Sequence, residues 1–372
     1  RPPQEELTCY DKALEIDTND AQVWYNKGVA LDKLGREQEA IDCYDKALEI
    51  DPKLAPARYN KGAALGKLGR PPQEELTCYD KALEIDTKDA PAWYNKGVAL
   101  DKLGRHQEAL DCFDKALKID PNHVKAWADK ALALGKLGRH HEAIYCLDKV
   151  LEIDRKDAKA WYDRGVALGK LGRPPDEQLH CCNMALEIDP KFAMAWFNKG
   201  VVLGKLNKHR EAIDCCDKAL EIDPKFADAW FNKGVNLSTS GRYQDALDSF
   251  NKALEIDAKD AQTWYNKGVV LGKLGRHQEA FTCYNKALEI NPKYVQAWYN
   301  KGAVLSKLGR LLEEELTCYD NAVKIDPKFT QAWVSKSAVL TALGKKKEAD
   351  ACLKRALELG FKPPWEKKKM EW

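Results

Sequence analysis

Apolar residues recur along this chain at intervals of three and four, the spacing that places them on one face of an α-helix. Between Trp298 and Gly309, for example, Trp298, Gly302 and Leu305 share such a face, with polar residues between them. A second stripe follows through Leu316, Tyr319, Ala322, Val323 and Ile325, and it stops near Asp326-Pro327. The pattern predicts two helices, A and B, joined by a tight turn. A glycine recurs at that turn (Gly35, Gly69, Gly104, Gly138, Gly172, Gly241, Gly275, Gly309 and Gly344), and Asn207 replaces it once. A helix C-terminus favours a left-handed residue, which glycine supplies without steric cost and asparagine tolerates best among the others. Pro52, Pro121, Pro190, Pro224, Pro292 and Pro327 fall just past helix B. With no backbone N–H to donate, proline cannot continue a helix there.

The pair of helices repeats. Trp24, Trp93, Trp127, Trp161, Trp196, Trp230, Trp264, Trp298 and Trp333 form one ladder with rungs 34 or 35 residues apart, and Arg58 stands on the rung that lacks a tryptophan. Self-similarity at such a period marks a stack of units that each touch only their neighbours. The 372 residues therefore do not imply the two or three globular domains that length alone suggests.

In the first full unit, Trp24, Gly28, Leu31, Ala40, Tyr44, Ala47 and Pro52 occupy positions four, eight, eleven, twenty, twenty-four, twenty-seven and thirty-two. This set resembles the tetratricopeptide repeat family. The resemblance covers nearly the whole chain: a lone helix B over 1–20, ten full repeats from 21 to about 363, and a tail at 364–372. It implies an all-α fold, a right-handed α-solenoid superhelix whose concave surface is lined by helix A. It also implies a non-enzymatic scaffold that binds a protein or peptide in that groove.

Small residues at positions eight and twenty (Gly28 and Ala40, Gly97 and Ala109, Gly268 and Ala280) predict a close approach of helix A to helix B. The tryptophan and the helix B aromatic are then expected to fill the seam between repeats. Three units have 35 residues, with turns Arg70-Pro71-Pro72, Arg173-Pro174-Pro175 and Arg310-Leu311-Leu312. There the twentieth residue becomes Glu75, Gln178 or Glu315, as it does at Glu6 in the first fragment. A long polar side chain is not expected in a close helix contact, so these units are predicted to splay or to rotate helix B.

Composition then narrows the chemistry. Sixty basic residues against 58 acidic ones, a net charge of +2, exclude the strongly basic face of a dedicated nucleic-acid binder. No apolar run approaches the roughly 18 residues of a membrane span. Ten of the twelve cysteines share one helix B position, and Cys182 and Cys216 replace the neighbouring aromatic. Stacked helices lie about 10 Å apart, beyond disulfide reach. These thiols read as small semi-buried hydrophobes in a reducing, cytoplasmic setting, although the chain opens at Arg1 and leaves room for an upstream targeting segment. His180, Cys181, Cys182, Cys215 and Cys216 lack the spacing of a metal site. Gly268-Val-Val-Leu-Gly272-Lys273 lies inside helix A and has no Ser or Thr after the lysine, unlike a phosphate loop. No catalytic constellation, metal or cofactor is expected.

Binding is expected on helix A. Position five reads Tyr25, Tyr59, Tyr94, Ala128, Tyr162, Phe197, Phe231, Tyr265, Tyr299 and Val334. Position six carries Asn26, Asn60, Asn95, Asn198, Asn232, Asn266 and Asn300, with Asp129, Asp163 and Ser335 in the other repeats. A carboxamide donates and accepts, so a ladder of them suits an extended peptide backbone. It looks like the asparagine ladder in the repeat half of O-linked N-acetylglucosamine transferase. The alternative is a purely structural asparagine. The Lys and Asn that clamp a terminal carboxylate in chaperone-binding members are absent, since Tyr25 and Val29 stand at those positions. A Lys or Arg follows position six throughout (Lys27 to Lys336, with Arg164), in reach of acidic residues on neighbouring units. A rival function is head-to-tail self-assembly into a homo-oligomer or filament. It would run through Leu7, Tyr10 and Leu14 of the first helix and Trp365 and Trp372 of the tail.

Overall fold

The computed structural model describes residues 3–362, and helices are its only regular elements. The chain divides into two compact units at Pro190/Lys191. The first begins with α1 (Pro3–Ile16) and continues with the pairs α2 (Ala21–Lys33) and α3 (Glu37–Ile50), and α4 (Ala55–Lys67) and α5 (Pro72–Ile85). Next come α6 (Ala90–Lys102) with α7 (His106–Ile119), α8 (Val124–Lys136) with α9 (His140–Ile153), and α10 (Ala158–Lys170) with α11 (Pro175–Ile188). The second unit holds α12 (Ala193–Lys205) with α13 (His209–Ile222), α14 (Ala227–Thr239) with α15 (Tyr243–Ile256), and α16 (Ala261–Lys273) with α17 (His277–Ile290). It ends with α18 (Val295–Lys307) and α19 (Leu312–Ile325), then α20 (Thr330–Ala342) and α21 (Lys346–Glu358). Within each unit a helix packs chiefly on the ones before and after it in sequence. This is the α-solenoid class.

The turns form for the expected reason. Gly35 has φ +72°, its N–H bonds the Asp32 carbonyl at 3.1 Å, and the Arg36 N–H reaches back to Leu31 at 3.0 Å. These two bonds close the helix end. Asn207 adopts φ +59°, the one non-glycine residue at positive φ among the described residues. At the other end, Asp20, Asp89, Asp157 and Asp260 accept backbone N–H groups of the following first turn, satisfying donors that a helix start leaves orphaned. Indole N–H groups of the Trp ladder then tie the turn down, as in Trp24 to the Thr18 carbonyl and Trp298 to the Pro292 carbonyl.

The core differs from expectation in two ways. A Cβ built on Gly28, Gly97 or Gly234 would lie 2.6 Å from the ring of Tyr44, Phe113 or Phe250, so the glycine makes room for a ring rather than for Ala40 or its equivalents. Those three rings are fully buried, whereas the ladder tryptophans are only half-buried. Where position twenty-four is Leu147, position eight is Ala131, because no ring needs the space. Where it is Cys216, the helix B backbone closes in, with the Ala212 carbonyl 3.1 Å from a Cβ on Gly200.

The second difference is at the long units. Glu75 and Glu315 are each only 4% exposed and Gln178 is buried, so the long polar side chains do occupy the helix contact. The extra residue sits in the turn, and α5, α11 and α19 keep the length of the other inner B helices. The approach at position eight is also kept, since a Cβ on Gly62 or Gly302 would lie 2.8 Å from Tyr79 or Tyr319. The side chains fit because helix A offers a small residue opposite each: Gly66 against Glu75 and Gly169 against Gln178. The Glu315 carboxyl instead bonds Ser306, and its burial raises its pKa.

Candidate functional site on the helix A face

The position-five aromatics stand half-buried on helix A. Each leans on its own repeat: Tyr25 on Tyr44, Tyr59 on Tyr79, Tyr94 on Phe113, Phe231 on Phe250 and Tyr265 on Tyr284, at ring separations of 5.9–6.2 Å. Several also touch the residue that closes the repeat, as in Phe197 with Phe226 at 4.9 Å and Tyr299 with Phe329 at 5.2 Å. Tyr162 is half-buried too, and burial raises its pKa. Ala128 and Val334 interrupt the row.

The asparagine row is half-buried beside it and already partly engaged. Asn60 Nδ2 donates to the Tyr25 hydroxyl at 3.2 Å, Asn95 to Tyr59 at 3.0 Å and Asn300 to Tyr265 at 3.0 Å. Tyr94 donates to Asp129 at 2.8 Å, so the aspartate uses the same inter-repeat contact in reverse. Asn26 accepts from the Gln22 amide, Asn266 donates to the Gln262 carbonyl, and Asn232 accepts from Asn236 at 2.8 Å. Asn198 is likewise half-buried. The sequence signal for this Tyr–Asn bridge is positions five and six spaced about one repeat apart, which periodicity displayed but did not interpret.

The basic residue after the asparagine pairs as expected with helix B of the preceding repeat. Lys27 meets Asp11 at 2.7 Å, Lys96 meets Asp80 at 2.5 Å, Arg164 meets Asp148 at 2.7 Å and Lys336 meets Asp320 at 2.7 Å; Lys61 pairs with Asp45. The same lysines lie over the ladder tryptophans, 5.3 Å from the ring centre for Lys27 on Trp24. A second lysine row stands at the end of helix A. Lys67 bonds Asp32 at 2.7 Å, Lys136 bonds Asp101 at 2.6 Å, and Lys102 reaches the buried Glu75 at 3.6 Å.

Of the terminal residues singled out for self-association, Leu7 and Leu14 are buried and Tyr10 is half-buried, with Leu7 and Tyr10 packed into the first core cluster. Trp365 and Trp372 lie outside the described residues. Ten cysteines are buried, Cys78 is half-buried and Cys9 is exposed. Burial pushes Cys43, Cys112, Cys146, Cys283 and Cys318 up to about 11, so their thiolates are scarce at neutral pH. Among the described residues no cluster of His, Cys, Asp or Glu has metal-binding geometry, and no helix is long and apolar enough to cross a membrane.

Family models described as tetratricopeptide repeat match residues 21–54, 90–123, 193–226 and 261–294 in one register, 43–75, 112–145, 215–248 and 283–315 in another, and 330–359 at the end. A TPR repeat model adds 131–172 and 239–275. The chain belongs to the tetratricopeptide repeat family. A protein prenyltransferase alpha subunit repeat model also matches residues 3–34 of this tetratricopeptide array. No curated relative matches it. Among solved structures, a tetratricopeptide repeat protein from Parabacteroides merdae is 19% identical, covering 68% of this chain and 98% of that one with a TM-score of 0.52. The APC/C hetero-tetramer Cut9-Hcn1 is 17% identical over 97% of this chain and 80% of its own, with a TM-score of 0.51. YrrB, described as a TPR protein with an unusual peptide-binding site, is 27% identical over 50% of this chain and 95% of its own, with a TM-score of 0.46. The two broader matches share the fold. Tetratricopeptide repeats support protein-interaction scaffolds, and that is the role of this array.

Proposed function

We propose that the array holds an extended segment of a protein partner along its helix A face, without catalysing a reaction. The observation that carries this reading is the state of the asparagine row. In Asn60, Asn95 and Asn300 the Nδ2 group is tied to a tyrosine of the preceding repeat. Among the described residues no hydrogen bond to the Oδ1 of Asn60 or Asn95 is present, which leaves these oxygens as acceptors for a peptide N–H. Stacked helices lie roughly 10 Å apart, and an extended chain advances about 3.3 Å per residue. Acceptors on successive repeats, as at Asn60 and Asn95, therefore meet about every third residue of the segment. The inter-repeat bonds fix each carboxamide before a partner arrives, which lowers the ordering cost of binding.

The test replaces Asn60, Asn95 and Asn300 together with Ala in the full chain and selects binders from a displayed library of random peptides. Peptides selected on the native chain should bind the variant at least about tenfold more weakly, corresponding to the loss of roughly 1.4 kcal/mol of hydrogen bonding. Equal binding by a variant whose far-ultraviolet circular dichroism is unchanged counts against the ladder.

A further inference from the structure

Position twelve of helix A is glycine in five repeats: Gly66, Gly135, Gly169, Gly204 and Gly272. Each glycine leaves a niche beside the helix, and the chain fills three of them with its own side chains. Glu75 enters at Gly66, Gln178 at Gly169 and Asn236 at Gly204, each with an atom 2.9–3.0 Å from where a Cβ would stand. All three fillers are polar, and each finds a polar partner. Glu75 meets Lys102, Gln178 donates to the Arg173 carbonyl at 2.9 Å, and Asn236 donates to Asn232 while His209 bonds its carbonyl oxygen at 3.0 Å.

The niches at Gly135 and Gly272 are different, because nothing lies within 4 Å of either Cβ position, and the one at Gly135 is also part of a cavity lining. The Gly135 niche opens into a cavity of about 350 Å³ between α8, α9 and α10. Its apolar lining comes from Ala131, Leu132, Ala143, Leu147, Val166 and Ala167. Leu132 is 39% exposed at the mouth, an unusual exposure for a leucine in mid-helix here. Of the charged groups on the rim, Lys136 bonds Asp101 at 2.6 Å and Asp163 accepts from Lys159 at 2.7 Å, while Lys170 and His140 also border the opening. The interior of the niche is alkyl, so a polar filler that does not reach Lys170 or His140 at the rim would lose its hydrogen bonds to water without replacement. An apolar one would bury its surface at no such cost.

We infer that the cavity at Gly135 is a specificity subsite that receives one bulky aliphatic side chain, leucine or methionine, from the extended partner segment. The inference rests on the proposed mode of peptide binding and adds what that mode lacks, a means of choosing among sequences. A backbone ladder reads every peptide alike, whereas an apolar niche rewards a large side chain at one register position. The three self-filled niches show that a side chain entering beside helix A is compatible with this packing.

The experiment selects peptides from a displayed random library on the full-length native chain and on Gly135→Leu, which supplies the filler from within. The substitution places a helix-favouring residue where space is open, so the variant should melt no lower than the native chain. Native selections should be enriched in leucine or methionine at one position, and a synthesised peptide from that pool should lose affinity for Gly135→Leu by roughly tenfold or more. Replacing the enriched residue by alanine in that peptide should weaken binding to the native chain by a similar factor and leave binding to Gly135→Leu unchanged. If selected peptides show no positional aliphatic preference, or bind both chains equally, the subsite is refuted while groove binding survives. If the native chain selects no peptide, both readings fail. A Gly135→Leu chain that melts markedly lower than the native one also overturns the inference, because the niche would then not accept the side chain.

Discussion

Two glycine-to-alanine substitutions on equivalent helices should change stability in opposite directions. Gly97 and Gly135 both lie inside helix A, where alanine is preferred by about 0.5–1 kcal/mol because glycine loses more backbone freedom on folding. At Gly135 that preference acts alone, since no atom lies within 4 Å of the new Cβ. Gly135→Ala should therefore stabilise the chain by roughly 0.5–1 kcal/mol. At Gly97 the new Cβ would sit 2.6 Å and 2.8 Å from two ring carbons of Phe113. Carbon atoms pack best at about 3.5–4.0 Å, so the ring must retreat by about 1 Å. Phe113 is 0% exposed and wedged against Tyr94 at a 6.1 Å ring separation, so it has no free direction in which to move. Overpacking of this kind costs about 1–3 kcal/mol, which outweighs the helix preference and leaves Gly97→Ala destabilised by roughly 1–2 kcal/mol. The assay is urea denaturation followed by circular dichroism, paired with hydrogen exchange in α6–α9 because repeats open locally. Exchange should quicken in α6 and α7 for Gly97→Ala and slow in α8 for Gly135→Ala. Equal upward shifts for both variants would refute the idea that the ring, and not the turn or the neighbouring alanine, is what requires glycine at position eight.

Glu315 gives a pH-dependent prediction. Burial raises its carboxyl pKa in the folded chain, so its contribution to stability is fully present below the ordinary carboxylate range and is lost as pH rises through the raised value. Glu315→Gln should accordingly melt above the native chain at neutral pH and converge with it in acid, as differential scanning calorimetry across pH would show; a constant offset at all pH values would contradict this. The buried thiols supply a second: Cys43, Cys112, Cys146 and Cys283, pushed up to about 11, should resist iodoacetamide in the native chain and react on unfolding in urea. Cys9, exposed on α1, should label first, and mass spectrometry of digests distinguishes the sites.

The periodic sequence determined the local design. Apolar spacing specified the helices, glycine and Asn207 specified their turns, and aspartates such as Asp20 specified their starts, because each of these acts over a few residues. The ion pairs from Lys27 to Asp11 and from Arg164 to Asp148 were legible for a related reason, since a fixed period turns a sequence offset into a spatial neighbour. Tertiary structure decided where side chains of unequal size accommodate one another. Position twenty alone forbids Glu75, yet Gly66 on the facing helix gives it space and Lys102 of the next repeat a countercharge. The Tyr25–Asn60 bond is similar: it turns a ladder read as free carboxamides into one whose donor side is already engaged. The open niche at Gly135 is the sharpest case. Its local sequence nearly matches that around Gly169, yet Gln178 fills the space at Gly169 and nothing fills it at Gly135, so only the neighbours packed around the glycine decide the outcome. Local preferences depend on adjacent residues and can be read from their order. A cavity is the space left over by several helices at once, and no single segment encodes it.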